Sequence, residues 1–372
     1  MDMIRSNKTC EQGERPCRSS AMERQTKTAP CVQRVLLASP FLTANRGNTI
    51  TVRRIAAGLR RLGLEVETVA YAEGNAVFSP ADVTHVFHAS RFARFWRREM
   101  GHLAPPAPLV VTMTGTDVNR DLFDESGRYD VFWTLERAAA VVLFSEEARE
   151  MLRTQWPGDP AKLHVVPQGL SAFPDVPPED CARHLPPKRG FTFLLPAGIR
   201  PIKNVLFAVR GLKRLRERGM EVHLVIAGPV LDAAEGERVR RAAQEEREWV
   251  AYVGEVPHAC MPALYAQADV VLNTSRAEGQ PAALIEALHF GVPVLASNVA
   301  GNRTIVRQEE NGLLYTDLDE EDFAAKAARL VQDDALRRRL VEAGRRDVAA
   351  RFSAETEARR LLAIYQAVRD GC

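Results

Sequence analysis

The sequence predicts an α/β protein built from two doubly wound units, each a parallel sheet covered by helices, facing one another across a cleft. Three observations carry this. Short apolar runs alternate with helix-length segments from Arg34 onward, the pattern of parallel strands joined by crossover helices. The alternation stops between 171 and 190, where Pro174, Pro177, Pro178, Pro186 and Pro187 precede Gly190, and then restarts. The chain has 372 residues, enough for two domains at roughly 100–200 residues each.

The elements follow in order. Residues 1–33 are polar and lack the apolar stretch of a signal peptide, so they read as a disordered leader, with Met22 a candidate start close to the first strand. Val35-Leu36-Leu37-Ala38-Ser39 is the first strand, followed by the loop Thr43-Ala44-Asn45-Arg46-Gly47-Asn48. The next segment has helical spacing at Ile50, Ile55, Ala56, Leu59 and Leu62 and stops at Gly63. Strands are predicted at 65–71, 83–87, 109–113, 140–144 and 163–167, completing a first domain over 34–170. The proline-rich stretch 171–190 is the linker. The second domain, 191–352, has strands at 191–197, 222–227, 249–253, 269–273, 292–296 and 312–315. Its helices are predicted at 202–218, 235–247, 258–267, 281–290, 319–331 and 334–351. A last helix begins after Ser353, a suitable N-cap, and is expected to pack back on the first domain. In such sheets ligands bind at the carboxyl ends of the strands. Two facing units therefore put a site in the cleft.

Composition narrows the function. The net charge is +2, and it comes from residues 1–33, which hold six Lys/Arg and four Asp/Glu; the rest carries 44 of each sign. A neutral body argues against nucleic acid as a partner. No apolar run reaches the ~18 residues that span a bilayer, and a cytoplasmic protein is expected. Segment 202–218 carries Arg210, Lys213, Arg214, Arg216 and Arg218, a basic set that reads as a solvated face or as a source of weak peripheral contact with anionic lipid. The six cysteines, Cys10, Cys17, Cys31, Cys181, Cys260 and Cys372, form no CxxC pair and have no zinc-ligand spacing to histidine. They are expected as free thiols. A nicotinamide-dependent oxidoreductase is disfavoured, because neither half carries GxGxxG after its first strand.

The densest chemistry lies in Ser275-Arg276-Ala277-Glu278-Gly279-Gln280-Pro281-Ala282-Ala283-Leu284-Ile285-Glu286-Ala287. Asp269-Val270-Val271-Leu272-Asn273 reads as a buried strand, with Glu278 in the loop at its carboxyl end and Glu286 in the following helix. A loop leading into a helix N-terminus offers backbone N–H groups to an anion. Carboxylates beside such a site suit the hydroxyls of a sugar or ribose, held by charge-assisted hydrogen bonds. In the first domain, Thr114-Gly115-Thr116-Asp117-Val118-Asn119 follows a strand, and its small residues and carboxylate suit contact with an acceptor or sugar. Asp317-x-Asp319 precedes a helix and reads as a cap rather than a metal motif.

These segments resemble the retaining glycosyltransferases of family 4, which have the GT-B fold of two facing Rossmann-like domains. The resemblance rests on Glu278-x7-Glu286, then Gly291-Val292-Pro293-Val294, then Asn311-Gly312-Leu313-Leu314, with Ala227-Gly228-Pro229 and Val253-Gly254-Glu255-Val256 after earlier strands. It covers nearly all of 34–369 and is clearest over 190–316. Within the family the chain is similar to the group called glycosyltransferase 1 domain-containing protein, through Gly115-Thr116-Asp117-Val118-Asn119, Gln155-Trp156-Pro157, Gln168-Gly169, Gly198-Ile199-Arg200, Gly228-Pro229 and Gly301-Asn302. The selenosugar synthases look similar at the Gly-Thr-Asp turn.

The resemblance implies transfer of a sugar from a nucleotide diphosphate sugar, UDP-sugar first and GDP-sugar second, with retention and without a metal or other cofactor. In Ala197-Gly198-Ile199-Arg200-Pro201-Ile202-Lys203-Asn204 it makes Arg200 and Lys203 the cations that stabilise the departing diphosphate. It makes Gly47, Gly198, Gly228, Gly279, Gln280, Ala282 and Glu286 donor-binding positions, with Glu286 on the ribose and Glu278 on the sugar hydroxyls. His88, closing Asp82-Val83-Thr84-His85-Val86-Phe87-His88, matches the family's active-site histidine, and Asp117 joins it on the acceptor side. The chain departs from the pattern at Pro281, which stands where glycine is usual and removes one N–H from the cradle. It departs again at Gly301-Asn302-Arg303-Thr304 and at Pro167-Gln168-Gly169. These departures motivate a second reading, a protein that binds nucleotide sugar without turnover. A selenosugar or thiosugar synthase-like transferase is a third.

Overall fold

The computed structural model describes residues 32–43, 47–74 and 76–370. The expected leader lies outside them apart from Val32 and Gln33, as do Ala44, Asn45 and Arg46 of the first loop. The first domain has strands β1 (Arg34–Ser39), β2 (Glu65–Ala70), β3 (Val83–Phe87), β4 (Leu109–Thr112), β5 (Ala140–Leu143) and β6 (Leu163–Val165). They form one parallel sheet in the order β2-β1-β3-β4-β5-β6. Its helices are α1 (Gly47–Arg61), α2 (Ala89–Glu99), α3 (Glu125–Arg137) and α4 (Glu146–Gln155), and α5 (Pro178–Ala182) lies in the linker.

The second sheet has β7 (Phe191–Pro196), β8 (Val222–Ala227), β9 (Val250–Tyr252), β10 (Val270–Asn273), β11 (Val294–Ser297) and β12 (Leu313–Tyr315). Its order is β12-β11-β10-β7-β8-β9, again parallel. The remaining helices are α6 (Val205–Glu217), α7 (Ala233–Glu245), α8 (Met261–Gln267), α9 (Ala282–His289), α10 (Ala300–Arg303), α11 (Glu320–Gln332), α12 (Asp334–Arg351) and α13 (Ala354–Asp370).

The central strands are buried on two faces, which is why they are largely apolar, whereas the edge strand β2 alternates and is partly exposed. Val35, Leu36, Leu37 and Ala38 of β1 are all fully buried. Strand order reverses between β1 and β3 in one sheet and between β7 and β10 in the other. Those reversals send successive crossovers to opposite faces and open a crevice at the carboxyl ends of the two central strands. The loops leaving β1, β3, β7 and β10 are thereby brought to the places where a ligand can enter.

The last helix, α13, belongs to the core of the first domain. Leu361, Ile364 and Tyr365 are buried with Val52, Ile55 and Leu59 of α1. Gly58 makes this approach feasible, because a Cβ there would stand 2.8 Å from that of Ala358. A fully buried ion pair ties the same helices: Arg54 Nε and Nη2 donate to Glu357 at 2.7 and 2.9 Å.

Three features differ from the sequence expectation. The helix expected at 202–218 is broken at Asn204, whose left-handed φ of 47° separates a one-turn 3₁₀ helix at Pro201–Lys203 from α6. The strand expected at 292–296 begins two residues later, since Pro293 has no N–H to give to the ladder and only its carbonyl pairs, with Val271. The linker contains α5, and Cys181 on it forms a disulfide with Cys260, correcting the expectation of free thiols at these two positions. The cause is docking: Phe173, Val176 and Leu185 pack with the cluster around Val256, Met261 and Leu264, so the linker lies on the second domain and the two thiols meet. Four of the five cations singled out in 202–218 have carboxylate partners: Arg210 and Arg214 pair with Glu320, Arg218 with Glu321 and Lys213 with Glu246. Among the described residues, no helix is long and apolar enough to cross a membrane.

Candidate active site

The two loops beside the β7/β10 crevice are joined to each other. Thr274 Oγ1 donates to the Lys203 carbonyl at 3.0 Å, and the Arg276 N–H donates to the Ile202 carbonyl at 2.9 Å. This joint, with the left-handed turn at Asn204, fixes Lys203 over the end of β10. Its Nζ donates to Glu278 Oε1 at 2.5 Å, and both side chains are mostly buried. Glu278 Oε1 also accepts from Ser275 Oγ at 2.6 Å and from Asn273 Nδ2 at 3.1 Å. Burial pushes the Glu278 carboxyl up; the Lys203 ammonium and the three donors outweigh it, and the group sits below the ordinary carboxylate range. Arg200 stands half-buried at the start of the Pro201–Lys203 turn, in the same loop.

Glycines let the backbone close around this point. A Cβ on Gly301 would lie 2.4 Å from the Glu278 carbonyl oxygen, so only glycine allows α10 to approach the Glu278 loop. Gly228 has φ +151° and a Cβ there would sit 2.0 Å from the Ala197 carbonyl; Gly198 is crowded by Leu231 at 2.7 Å. Gly198 and Gly228 thus hold the loop after β7 against the turn after β8.

The other glutamate is equally fixed. Glu286, on α9, accepts from Tyr265 Oη at 2.8 Å and from His258 Nε2 at 3.1 Å. A carboxylate can only accept, so His258 carries its proton on Nε2. Burial, then the Glu286 charge, raises the Tyr265 phenol well above its ordinary value, so it stays a donor. Pro281 is the residue before α9, and Ala282 is the first helical position. Gln280 is spent on the first domain: its side-chain oxygen accepts from the Gln168 N–H and its carbonyl from Gln168 Nε2, both at 2.7 Å.

Across the cleft, His88 ends β3 with φ 74° and ψ 89°, an uncommon conformation for a residue with a side chain. Its Nε2 lies 2.8 Å from Thr116 Oγ1 and its Nδ1 3.9 Å from Asp117 Oδ2. Burial pushes the imidazole below its ordinary value, with Asp117 pulling the other way. Asp117 is fully buried. Its Oδ1 accepts from the N–H groups of Thr114 and Gly115, each at 2.9 Å, and Oδ2 accepts from the Ala89 N–H at 3.0 Å. Asp117 thus clamps the turn after β4 to the start of α2, beside His88. Gly47 opens α1, and the neighbouring Asn48 Nδ2 donates to Thr114 Oγ1 at 3.2 Å.

The two domains touch beside these loops. Asn119 Nδ2 donates to the Glu278 carbonyl at 2.8 Å, and a Cβ on Gly279 would lie 3.1 Å from the Thr114 oxygen. Arg303, on α10, pairs with Glu147 at 2.5 Å. Gly115, Asn119, Ser145, Glu278, Gly279 and Gly301 line a pocket between the two sheets. Sequence reasoning did not assign Asn119, Asn273, His258 or Tyr265. Asn119 and Asn273 lie in segments it had singled out at strand ends, whereas His258 and Tyr265 have no local signal. Asp319 caps α11 through the N–H groups of Glu321 and Asp322, as its place before the helix suggested.

Residues 178–347 match the family model for glycosyl transferases group 1. Glycosyltransferase 1 domain-containing protein 1 of Xenopus tropicalis is 29% identical over 338 residues, 85% of this chain and 93% of that protein. The D-inositol 3-phosphate glycosyltransferase of Jonesia denitrificans is 33% identical over 252 residues, 63% of this chain and 58% of the relative. Among solved structures, sucrose-phosphate synthase from Thermosynechococcus elongatus superposes with a TM-score of 0.76 at 20% identity, covering 91% of this chain and all of that one. Anabaena HepE, solved with UDP and glucose, gives 0.68 at 16% identity over 88% of this chain and 98% of that one. The fold is GT-B.

Proposed function

We propose that this chain, whose residues 178–347 match the family model for glycosyl transferases group 1, transfers a sugar from a nucleotide diphosphate sugar with retention and without a metal ion. The observation that carries the proposal is the cluster at the β7/β10 crevice: Lys203 on Glu278 at 2.5 Å, with Arg200 in the same loop and Gly279 beside the start of α9. Lys203 and Arg200 meet the charge that develops on the diphosphate as its bond to the anomeric carbon breaks. The N–H of Gly279 and those at the start of α9 assist. Glu278 holds the sugar hydroxyls and Glu286 the ribose. Without ligand, Lys203 and Glu278 satisfy one another; donor binding replaces that single contact with phosphate on the cation and hydroxyls on the carboxylate.

The acceptor oxygen attacks the anomeric carbon from the face that the diphosphate leaves, and its proton passes to the leaving phosphate oxygen. Bonds and charge balance without a covalent enzyme intermediate. His88, neutral and held by Thr116, faces the sugar and acceptor. UDP-sugar is the favoured donor and GDP-sugar the second. UDP is present with HepE in a structure of the same fold, which supports testing uridine donors first. The test is a donor panel with product anomers read by proton NMR, run with and without EDTA. Retention unaffected by EDTA is expected; inversion, or loss of turnover with EDTA, refutes the corresponding half.

Pro281 favours one competing reading, nucleotide-sugar binding without turnover, because it removes an N–H next to α9. Nucleotide binding with no transfer to or hydrolysis of any donor selects it.

A further inference from the structure

His258 has no part in the proposed chemistry, yet it is held from three sides. Its Nε2–H donates to Glu286 Oε1 at 3.1 Å. Phe173 of the linker lies on its ring, with centroids 4.5 Å apart and planes 21° from parallel. Two residues on, Cys260 is bonded covalently to Cys181 of α5. Phe173 in turn meets Phe290 edge-on at 5.0 Å, and Phe290 stacks on Tyr265, the second donor to Glu286. Both hydrogen bonds that orient Glu286 therefore come from side chains packed on the linker side of the second domain. The short helix turn His258–Cys260 leads directly into α8, and its N-cap, Pro257, makes no side-chain capping bond.

We infer that His258 is a positioning residue for Glu286, and that the linker, through Phe173 and the Cys181–Cys260 disulfide, holds His258 in place and so sets donor affinity. The inference rests on the reading of Glu286 as the ribose ligand. A carboxylate with both oxygens oriented presents its remaining lone pairs to the ribose hydroxyls in one geometry; one freed of His258 rotates, and the order is recovered only at the expense of binding. The linker thereby becomes part of the donor site although it touches no ligand. Opening the disulfide removes the covalent half of the support and leaves the Phe173 stack.

The experiment is titration calorimetry of the full chain with UDP and with GDP, in parallel with donor KM and kcat. Taking whichever nucleotide the wild type binds, His258→Ala is expected to raise Kd about 10-fold, the usual weight of a hydrogen bond to a charged group. The change should fall on KM rather than kcat. His258→Gln, which keeps an N–H donor of similar reach, should return Kd to within about 3-fold of wild type. Cys181→Ser should raise Kd by about 3-fold, and this step should vanish in a His258→Ala background, since the two act through one contact. Glu286→Gln separates the layers. If it weakens binding while His258→Ala does not, the positioning role is overturned and Glu286 stands. If Glu286→Gln leaves Kd unchanged, or the wild type binds neither nucleotide, the reading of Glu286 falls and the inference with it. An unaltered Kd in Cys181→Ser overturns the linker's part alone.

Discussion

Lys203→Ala removes the ammonium 2.5 Å from Glu278 and leaves a carboxylate whose side chain is only 10% exposed. Deleting one partner of a fully buried pair costs about 3–5 kcal/mol. Ser275 and Asn273 still donate to Glu278, and the site is not sealed, so about 2 kcal/mol near neutral pH is the expected loss. The sign with pH follows from the wild-type carboxyl lying below its ordinary value of 4.5. Its contribution is fully present above that value and is lost as pH falls through the lower, folded one. In the variant, burial acts against the charge without the cation to offset it, so the group takes its proton more readily and the penalty disappears on acidification. Urea unfolding of the two proteins at about pH 7 and about pH 4 reads this directly. The stability gap should be wide at the first and narrow at the second. A gap of the same size at both would show that Glu278 is not held by Lys203 in solution and would refute the reasoning.

Gly301→Ala would put a methyl 2.4 Å from the Glu278 carbonyl oxygen, a backbone atom that cannot step aside; a loss of about 1–3 kcal/mol and of donor turnover is expected, and wild-type values in both would contradict the packing described. Glu357→Ala strands buried Arg54 and should cost about 3–5 kcal/mol in urea unfolding, much of it regained in Arg54→Met, Glu357→Leu; an equal loss in the double variant would mean that packing and not the charge dominates. Burial lowers the His85 imidazole to about 3, so the folded protein keeps it neutral while the unfolded chain protonates it below about 6.5. That costs about 1.4 kcal/mol per pH unit as pH falls from about 6.5 toward 3, and His85→Gln should have a shallower slope between about pH 5.5 and about pH 4.5; identical slopes would refute it.

Much of this was legible in the chain and some of it could not be. The strands are readable because a parallel sheet buried on two faces demands unbroken apolar runs, as in Val35-Leu36-Leu37-Ala38. Glu278 and Lys203 are readable as candidates because each sits in a loop at a strand end. What sequence reasoning missed depends on contacts between distant segments. Cys181 and Cys260 are 79 residues apart and carry no spacing signal; only docking of the linker unites them. Gln280 appeared to belong with the donor loop by position, but its side-chain oxygen accepts from Gln168 across the domain boundary. Asp117 looked like a substrate contact because it is acidic and at a strand end. Three backbone N–H groups converge on it, an arrangement that no local pattern announces. The left-handed Asn204 is intermediate: asparagine tolerates that conformation, but a single residue does not declare a helix break.

The central claim is that Lys203 and Glu278 form the donor site of a working transferase. Its most direct test is nucleotide release from a panel of UDP- and GDP-sugars by the wild type, Lys203→Ala and Glu278→Ala. Turnover of at least one donor by the wild type, reduced by about 100-fold or more in both variants, is the predicted result. Full activity in both variants would contradict the site, whatever the donor.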